Sequence, residues 1–75
     1  MSMLEERTGT SVAKVIEITA ESTQSFEDAV RHGILKASES VHGLRSAWVA
    51  GQQVKIEDGK VVAYRVDLKV TFVLD

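Results

Sequence analysis

The chain has 75 residues, of which 44% are hydrophobic and 27% are charged, and it contains no cysteine. Disulfides and cysteine-ligated zinc are therefore excluded, and a net charge of −2 argues against binding nucleic acid through bulk positive charge. A core in a chain below about 70–80 residues rarely contributes more than about 3–5 kcal/mol, so we expect association with other copies. Since no stretch approaches the roughly 18 apolar residues of a membrane span, we expect a cytoplasmic protein that does not enter membranes.

The N-terminal part of the chain divides into a polar arm and a strand. Residues 1–10 carry mostly polar and charged side chains and are predicted to form a frayed arm, followed by a single domain over residues 11–75. Ser11 to Thr19 is predicted to be the first strand, because it is rich in Val and Ile. Its apolar residues do not alternate strictly, which indicates apolar contacts on both faces.

A helix is predicted after a short polar connection over Ala20 to Gln24. Ser25 is the expected N-cap, because its hydroxyl can accept from a free backbone N–H and the acidic residues after it favour the positive end of the helix dipole. Gly43 is the expected residue that closes the helix in a left-handed conformation. The apolar residues between them recur at helical spacing and form one stripe, which consists of Phe26, Ala29, Val30, Gly33, Ile34, Ala37 and Val41.

Two strands joined by a tight turn are predicted for the rest of the chain. They cover Leu44 to Ile56 and Val61 to Leu74, and the Asp58-Gly59 pair between them is typical of a type I′ turn. The last strand alternates regularly, with one apolar side running from Tyr64 to Leu74. The elements predict an α+β fold in the order β-α-β-β, with a three-stranded antiparallel sheet of strand order 1-3-2. The helix is expected on the Tyr64–Leu74 side.

The other side of the sheet has no predicted cover within one copy of the chain. A two-residue turn places Trp48 opposite Lys69, and the same register places Gln52 opposite Arg65. An exposed patch that mixes an aromatic residue with charges is typical of an interface and predicts a homo-oligomer, whereas the alternative is an amphipathic hairpin with a few exposed apolar residues. The register predicts that this side carries Trp48, Val54, Ile56, Val61, Ala63, Arg65, Asp67, Lys69 and Val73.

Several segments of the chain resemble the dodecin family. The resemblance runs without gaps from about Val12 to Asp75, and it implies a β-α-β-β subunit whose sheet partly wraps its helix. It also implies a hollow cage of twelve identical subunits, a number that the periodicity of the sequence does not give. The segments that carry the resemblance are Val12–Ile18, Ser25–Val30, Lys36–Ser38, Val54–Val61 and Tyr64–Phe72.

Flavin-binding dodecins stack each isoalloxazine ring on a tryptophan of the second strand, and a glutamine of the third strand hydrogen-bonds the ring. Gapless matching places Ser46 at the tryptophan position and Arg65 at the glutamine position, which is a departure from that pattern. Trp48 lies two residues further along the same face of the strand, about 6–7 Å away. The resemblance therefore implies a flavin (riboflavin, FMN or FAD) at subunit interfaces, with Ser46, Trp48, Arg65, Arg45 and Gln52 as candidate contacts.

Three interpretations of this surface are open at the level of sequence. In the first, Trp48 replaces the missing aromatic residue and Arg65 contacts a flavin carbonyl or phosphate. In the second, Arg45, Arg65 and Lys69 hold another anionic cofactor. In the third, these residues are only contacts between the copies of a structural cage.

Cation binding and catalysis have weaker support in the sequence. A related branch of the dodecin family is associated with calcium, so the resemblance adds a cation at an interface, held by Glu17, Asp67 or Glu57. His32 and His42 do not share a helix face and have no carboxylate at liganding spacing, so no histidine metal site is predicted. The serines lie in no nucleophile-elbow context, and a non-catalytic binding or storage protein is predicted.

Overall fold

A computed structural model of the chain describes residues 10–74. It contains strand β1 (Ala13–Ser22), helix α1 (Phe26–Ser40), strand β2 (Leu44–Glu57) and strand β3 (Lys60–Val73). The strands form one antiparallel sheet in the order β1-β3-β2, which confirms the predicted β-α-β-β fold and strand order. The predicted frayed arm over residues 1–10 lies, except for Thr10, outside the described residues.

Strand β1 extends further than predicted, to Ser22 instead of Thr19. Its last pairs with β3 join Ala20 to Val66 and Ser22 to Tyr64. The hydroxyl of Ser22 is buried, donates to Asp28 at 2.7 Å and accepts from the N–H of Gln24 at 2.8 Å. These bonds satisfy a polar residue inside the sheet, so the predicted connection over Ala20 to Gln24 is too long.

Helix α1 begins as predicted and ends slightly earlier. The hydroxyl of Ser25 accepts from the N–H of Asp28 at 3.0 Å, which confirms the N-cap. The C-cap is Val41, so Gly43 is not the first residue after the cap, although it has the expected left-handed φ of 78° and turns the chain into β2. No helix within residues 10–74 is long and apolar enough to cross a bilayer.

The core lies between α1 and the middle of β3. Val66, Leu68 and Val70 are at most 1% exposed and face the helix, as the alternation predicts. Gly33 allows the close approach of helix and sheet, because a Cβ there would lie 3.1 Å from side-chain atoms of both Ala20 and Leu68. The helix therefore covers β1 and β3, and Leu44 is the one residue of β2 that packs against this core within the described part of the chain.

The turn between β2 and β3 has the predicted form, but the pairing that follows it is irregular. Asp58 and Gly59 have φ values of 52° and 75°, which fit a type I′ turn. Three residues have no direct partner in the register, namely Arg45 and Ala50 on β2 and Val62 on β3. The bulges at Val62 and Ala50 shift the five pairs between them by one residue and restore the predicted register beyond Ala50.

The predicted single register is therefore wrong between the two bulges. Gln52 pairs with Val66 instead of Arg65, and Val54 pairs with Tyr64 instead of Ala63. Since directly paired residues of an antiparallel sheet project to the same face, Gln52 and Val54 project to the helix side. Outside the shifted segment, the predicted opposition of Trp48 and Lys69 is confirmed.

Candidate ligand-binding face

The side of the sheet away from the helix, hereafter the far face, is defined by the observed register. It carries alternate residues of all three strands, and most of them are polar or charged. On β1 they are Ala13, Val15, Glu17, Thr19 and Glu21, on β3 Lys60, Ala63, Arg65, Asp67, Lys69, Thr71 and Val73, and on β2 Ser46, Trp48, Gly51, Gln53, Lys55 and Glu57.

Trp48 dominates the apolar area of the far face. Its side chain is 66% exposed, although the indole is a large apolar group. The ammonium of Lys69, directly across the strand pair, lies 5.1 Å from the ring centroid, within cation–π range. The indole therefore has a cation over its ring and stays largely exposed.

Two ion pairs cross the far face. The ammonium of Lys69 lies 3.9 Å from a carboxylate oxygen of Glu17 on β1. Lys55 on β2 and Glu21 on β1 approach to 3.7 Å, so this pair passes over the central strand β3. Ala63 lies opposite Lys55 and is only 4% exposed, although the sequence predicted it to be open. Solvent screens both ion pairs, so they orient the side chains of the far face and contribute little to the stability of the fold.

Asp67 occupies the middle of the far face, next to the Trp48–Lys69 pair. One carboxylate oxygen accepts a hydrogen bond from the hydroxyl of Thr19 at 3.1 Å. The other points toward β2, where a Cβ on Gly51 would lie 3.2 Å from it. Glycine at this position leaves room for the carboxylate. A hollow of about 240 Å³ lies here, lined by Glu17, Ile18, Thr19, Ala50, Asp67, Leu68 and Lys69.

Three of the five predicted contact residues, Ser46, Trp48 and Arg65, lie on the far face. Ser46 is opposite Thr71 and next to Trp48 in the alternation. Arg65 lies four residues from Lys69 along β3, which corresponds to about 13 Å. Arg65 makes no ion pair with residues 10–74, so its guanidinium is available to an anion.

The other two predicted contacts are displaced by the bulges. Gln52 projects to the helix side, and Gln53 takes the place opposite Arg65 that was predicted for Gln52. Arg45 is exposed and lies in a bulge without a direct partner. The role of these residues in ligand binding stays a prediction.

Metal ligation by one copy of the chain has no support in the described residues. Residues 10–74 hold no group of three or more His, Asp or Glu side chains placed to bind a metal ion. Glu57 lies opposite Lys60 beside the hairpin turn, so the structure does not bring it together with Glu17 and Asp67. A cation on the far face would need further oxygen ligands from another source.

A second concavity, of about 680 Å³, lies between α1 and β1. It contains none of the five predicted contact residues, and its lining combines aliphatic side chains with charged ones such as Glu21, Lys36 and Glu39, a mixture that suits packing against another protein surface. Leu35, on the helix side of this groove, is 61% exposed. The apolar residues that line it are Ile16, Ile18, Ala20, Leu35, Ala37 and Val41.

Sequence reasoning missed Gln53 and the arrangement of Thr19, Gly51 and Asp67. The alternation of β1 and β3 alone would place Thr19 and Asp67 on one face. The positions of Gly51 and Gln53 depend on the bulges at Val62 and Ala50, for which the sequence offers no signal.

Comparison with known proteins assigns the family. The family model described as Dodecin matches residues 12–75. The calcium dodecin of Mycobacterium tuberculosis is 36% identical over 62 residues, which span 83% of this chain and 87% of that protein. Its crystal structure, described as having a novel calcium-binding site, matches with a TM-score of 0.75, covering 87% of this chain and 93% of that one. The dodecin of Streptomyces coelicolor matches with a TM-score of 0.84 at 29% identity, covering 91% and 97%. The chain therefore belongs to the dodecin family of small binding proteins.

Proposed function

We propose that this chain forms a hollow homododecamer that binds and stores a flavin, with the isoalloxazine ring stacked on Trp48 at an interface between copies. The single observation that carries the proposal is the exposed indole of Trp48 on a sheet face that also presents Arg65 and Gln53. Stacking on an aromatic side chain contributes roughly 0.5–1.5 kcal/mol beyond burial. The arginine and amide supply hydrogen-bond donors for flavin carbonyl or phosphate oxygens.

Self-association is supported by the exposed apolar residues of the hairpin. Beyond Leu44, the helix side of β2 is left open, since Val49 and Val54 there are 40% and 37% exposed. A monomer of this size is expected to bury such a surface against another molecule. The large apolar residues exposed on β2 and β3 are Trp48, Val49, Val54, Ile56, Val61 and Val62.

Flavin titration tests the proposal directly. Trp48 is the only tryptophan of the chain, so the quenching of fluorescence excited selectively at tryptophan, and not at Tyr64, reports on this residue alone. Riboflavin or FMN at micromolar concentration should quench both the protein and the flavin emission. Trp48→Leu should weaken flavin binding, followed by the quenching of flavin emission, roughly two- to thirteenfold, the equivalent of about 0.5–1.5 kcal/mol. Val12→Ala, an exposed apolar residue before β1, should leave it unchanged. Equal flavin quenching by Trp48→Leu and the unmodified chain would contradict the proposal.

Calcium is the second candidate ligand, and two observations favour it. The chain is 36% identical to a protein named calcium dodecin, and oxygen atoms of Glu17, Thr19 and Asp67 line the hollow on the far face. Calcium takes six to eight oxygen ligands, so several copies would have to contribute. Calorimetric titration with calcium chloride, with magnesium chloride as the control, separates the candidates. Calcium-specific heat together with absent flavin quenching would favour the cation over the flavin.

The assembly is tested independently of the ligand. Light scattering should give a mass close to twelve times 8.2 kDa. A monomer at micromolar concentration would contradict the cage and the interfacial site together.

A further inference from the structure

We infer that Asp67 is a specificity-determining residue of the Trp48 site and that it accepts a hydrogen bond from a ring N–H of the stacked ligand. The inference rests on the proposed function and narrows its ligand class. The preferred ligand is a planar heteroaromatic ring with an unsubstituted imide N–H, such as N3–H of a flavin.

Asp67 lies next to Trp48 on the far face. The Trp48–Lys69 pair and the Gly51–Asp67 pair are neighbours on the far face. Alternate residues of a strand are separated by about 6–7 Å, a distance that a tricyclic ring system spans. A ring stacked on Trp48 can therefore bring one edge to Asp67, and the long side chain of Arg65 starts one alternate position beyond Asp67.

The two carboxylate oxygens of Asp67 have different surroundings. One carboxylate oxygen is held by Thr19 at 3.1 Å, which fixes the orientation of the group. The second oxygen lies toward Gly51 and has no hydrogen-bond or ion-pair partner among residues 10–74. The side chain is half-buried, so this oxygen is a preoriented acceptor beside the hollow. Hydrogen bonds to an ionised group are about twice as strong as those between neutral groups.

The groups on either side of Asp67 complete the pattern. An imide presents its N–H between two carbonyl oxygens, so it fits an acceptor that is flanked by donors. Lys69 is two residues from Asp67 on the same face, and its ammonium lies 3.9 Å from Glu17 in a solvent-exposed pair that is easily rearranged. Arg65 lies two residues away on the other side. The order donor, acceptor, donor along β3 is complementary to the imide edge.

A comparison of two flavins tests this assignment. Riboflavin and 3-methylriboflavin share the stacking surface and differ only at the N3 position. The unmodified chain should bind riboflavin about tenfold more tightly, a difference of about 1.4 kcal/mol. Asp67→Asn should reduce the riboflavin affinity toward that of 3-methylriboflavin and leave the 3-methylriboflavin affinity within twofold. Asp58→Asn, the same change in the hairpin turn, should preserve the tenfold preference, because asparagine tolerates the left-handed conformation there.

Gly51→Ala provides a second variant should Asp67→Asn fail to assemble. Its Cβ would lie 3.2 Å from the free carboxylate oxygen and force it to move by a few tenths of an ångström, so the preference for riboflavin should fall, by less than in Asp67→Asn. Equal affinities for the two flavins in the unmodified chain would overturn the inference and leave flavin binding intact. A preference that persists in both variants would overturn it equally. Failure of riboflavin to bind at all would overturn the proposed function and this inference together.

Discussion

The two faces of strand β3 differ completely in composition and exposure. Toward the helix it places Val66, Leu68 and Val70, which are at most 1% exposed. Toward the far face it places charged residues at the intervening positions, and each has a polar neighbour on β1 or β2. One strand therefore supplies the core with its even-numbered residues and the candidate site with its odd-numbered ones. Because successive residues of a strand point to opposite faces, the residues that stabilise the fold alternate with those of the candidate site. Substitutions can therefore test stability and binding independently.

The largest expected effect on stability comes from truncating a side chain of the helix-side core. Leu68→Ala should lower the free energy of unfolding by about 2–5 kcal/mol, because Leu68 is 1% exposed and the cavity it leaves is enclosed by α1 and the sheet. Urea denaturation followed by circular dichroism measures the change. Val12→Ala is the control, since Val12 precedes β1 and is 65% exposed, and its cost should be well below 1 kcal/mol. Equal costs for the two changes would mean that burial on the helix side does not set the stability.

A smaller effect is expected at the start of the helix that covers this core. Ser25→Ala removes the acceptor of the Asp28 N–H and should cost about 1 kcal/mol. Ser38→Ala is the control, because the Ser38 hydroxyl donates to the Leu35 carbonyl on an exposed helix surface and satisfies no free N–H. The shift in the midpoint of thermal unfolding between each variant and the unmodified chain measures the loss of stability. A Ser38→Ala variant as unstable as Ser25→Ala would remove the capping explanation.

The smallest effect is expected on the far face. Glu17→Gln breaks the pair with Lys69, and because Glu17 is 75% exposed the free energy of unfolding should change by less than about 0.5 kcal/mol. Urea denaturation provides the test. A loss above about 1 kcal/mol would show that the far face contributes to folding and would break the separation between the two faces.

The fold was predictable because its signals are redundant. The stripe on α1, the cap at Ser25, the turn at Asp58-Gly59 and the alternation of β3 each indicate the same arrangement, and the structure confirms them. The boundary at Ser22 was missed because a buried serine looks like a loop residue in sequence. Its burial depends on a partner, Asp28, that only the folded chain brings close.

The candidate site was predictable only in part. The pairing register of two strands cannot be predicted from sequence where neighbouring residues do not differ in hydrophobicity. Gly51, Gln52 and Gln53 are all small or polar, so shifting them by one residue changes no hydrophobic match. The run from Val61 to Ala63 is all apolar and hides the bulge at Val62 in the same way. Trp48 lies beyond both bulges, and its opposition to Lys69 was predicted correctly for that reason.

The two offsetting bulges at Ala50 and Val62 bear on how relatives of this chain are aligned. In an alignment, residues 51–55 should be assigned to a face of the sheet by the β3 residue with which each one pairs. Counting residues from the hairpin turn would assign them to the opposite face. Migration of the Ala50 bulge along β2 would exchange Gln53 for Gln52 opposite Arg65. Because both are glutamines, the guanidinium would face a carboxamide in either alignment of the strands, and this position tolerates slippage without any change of sequence.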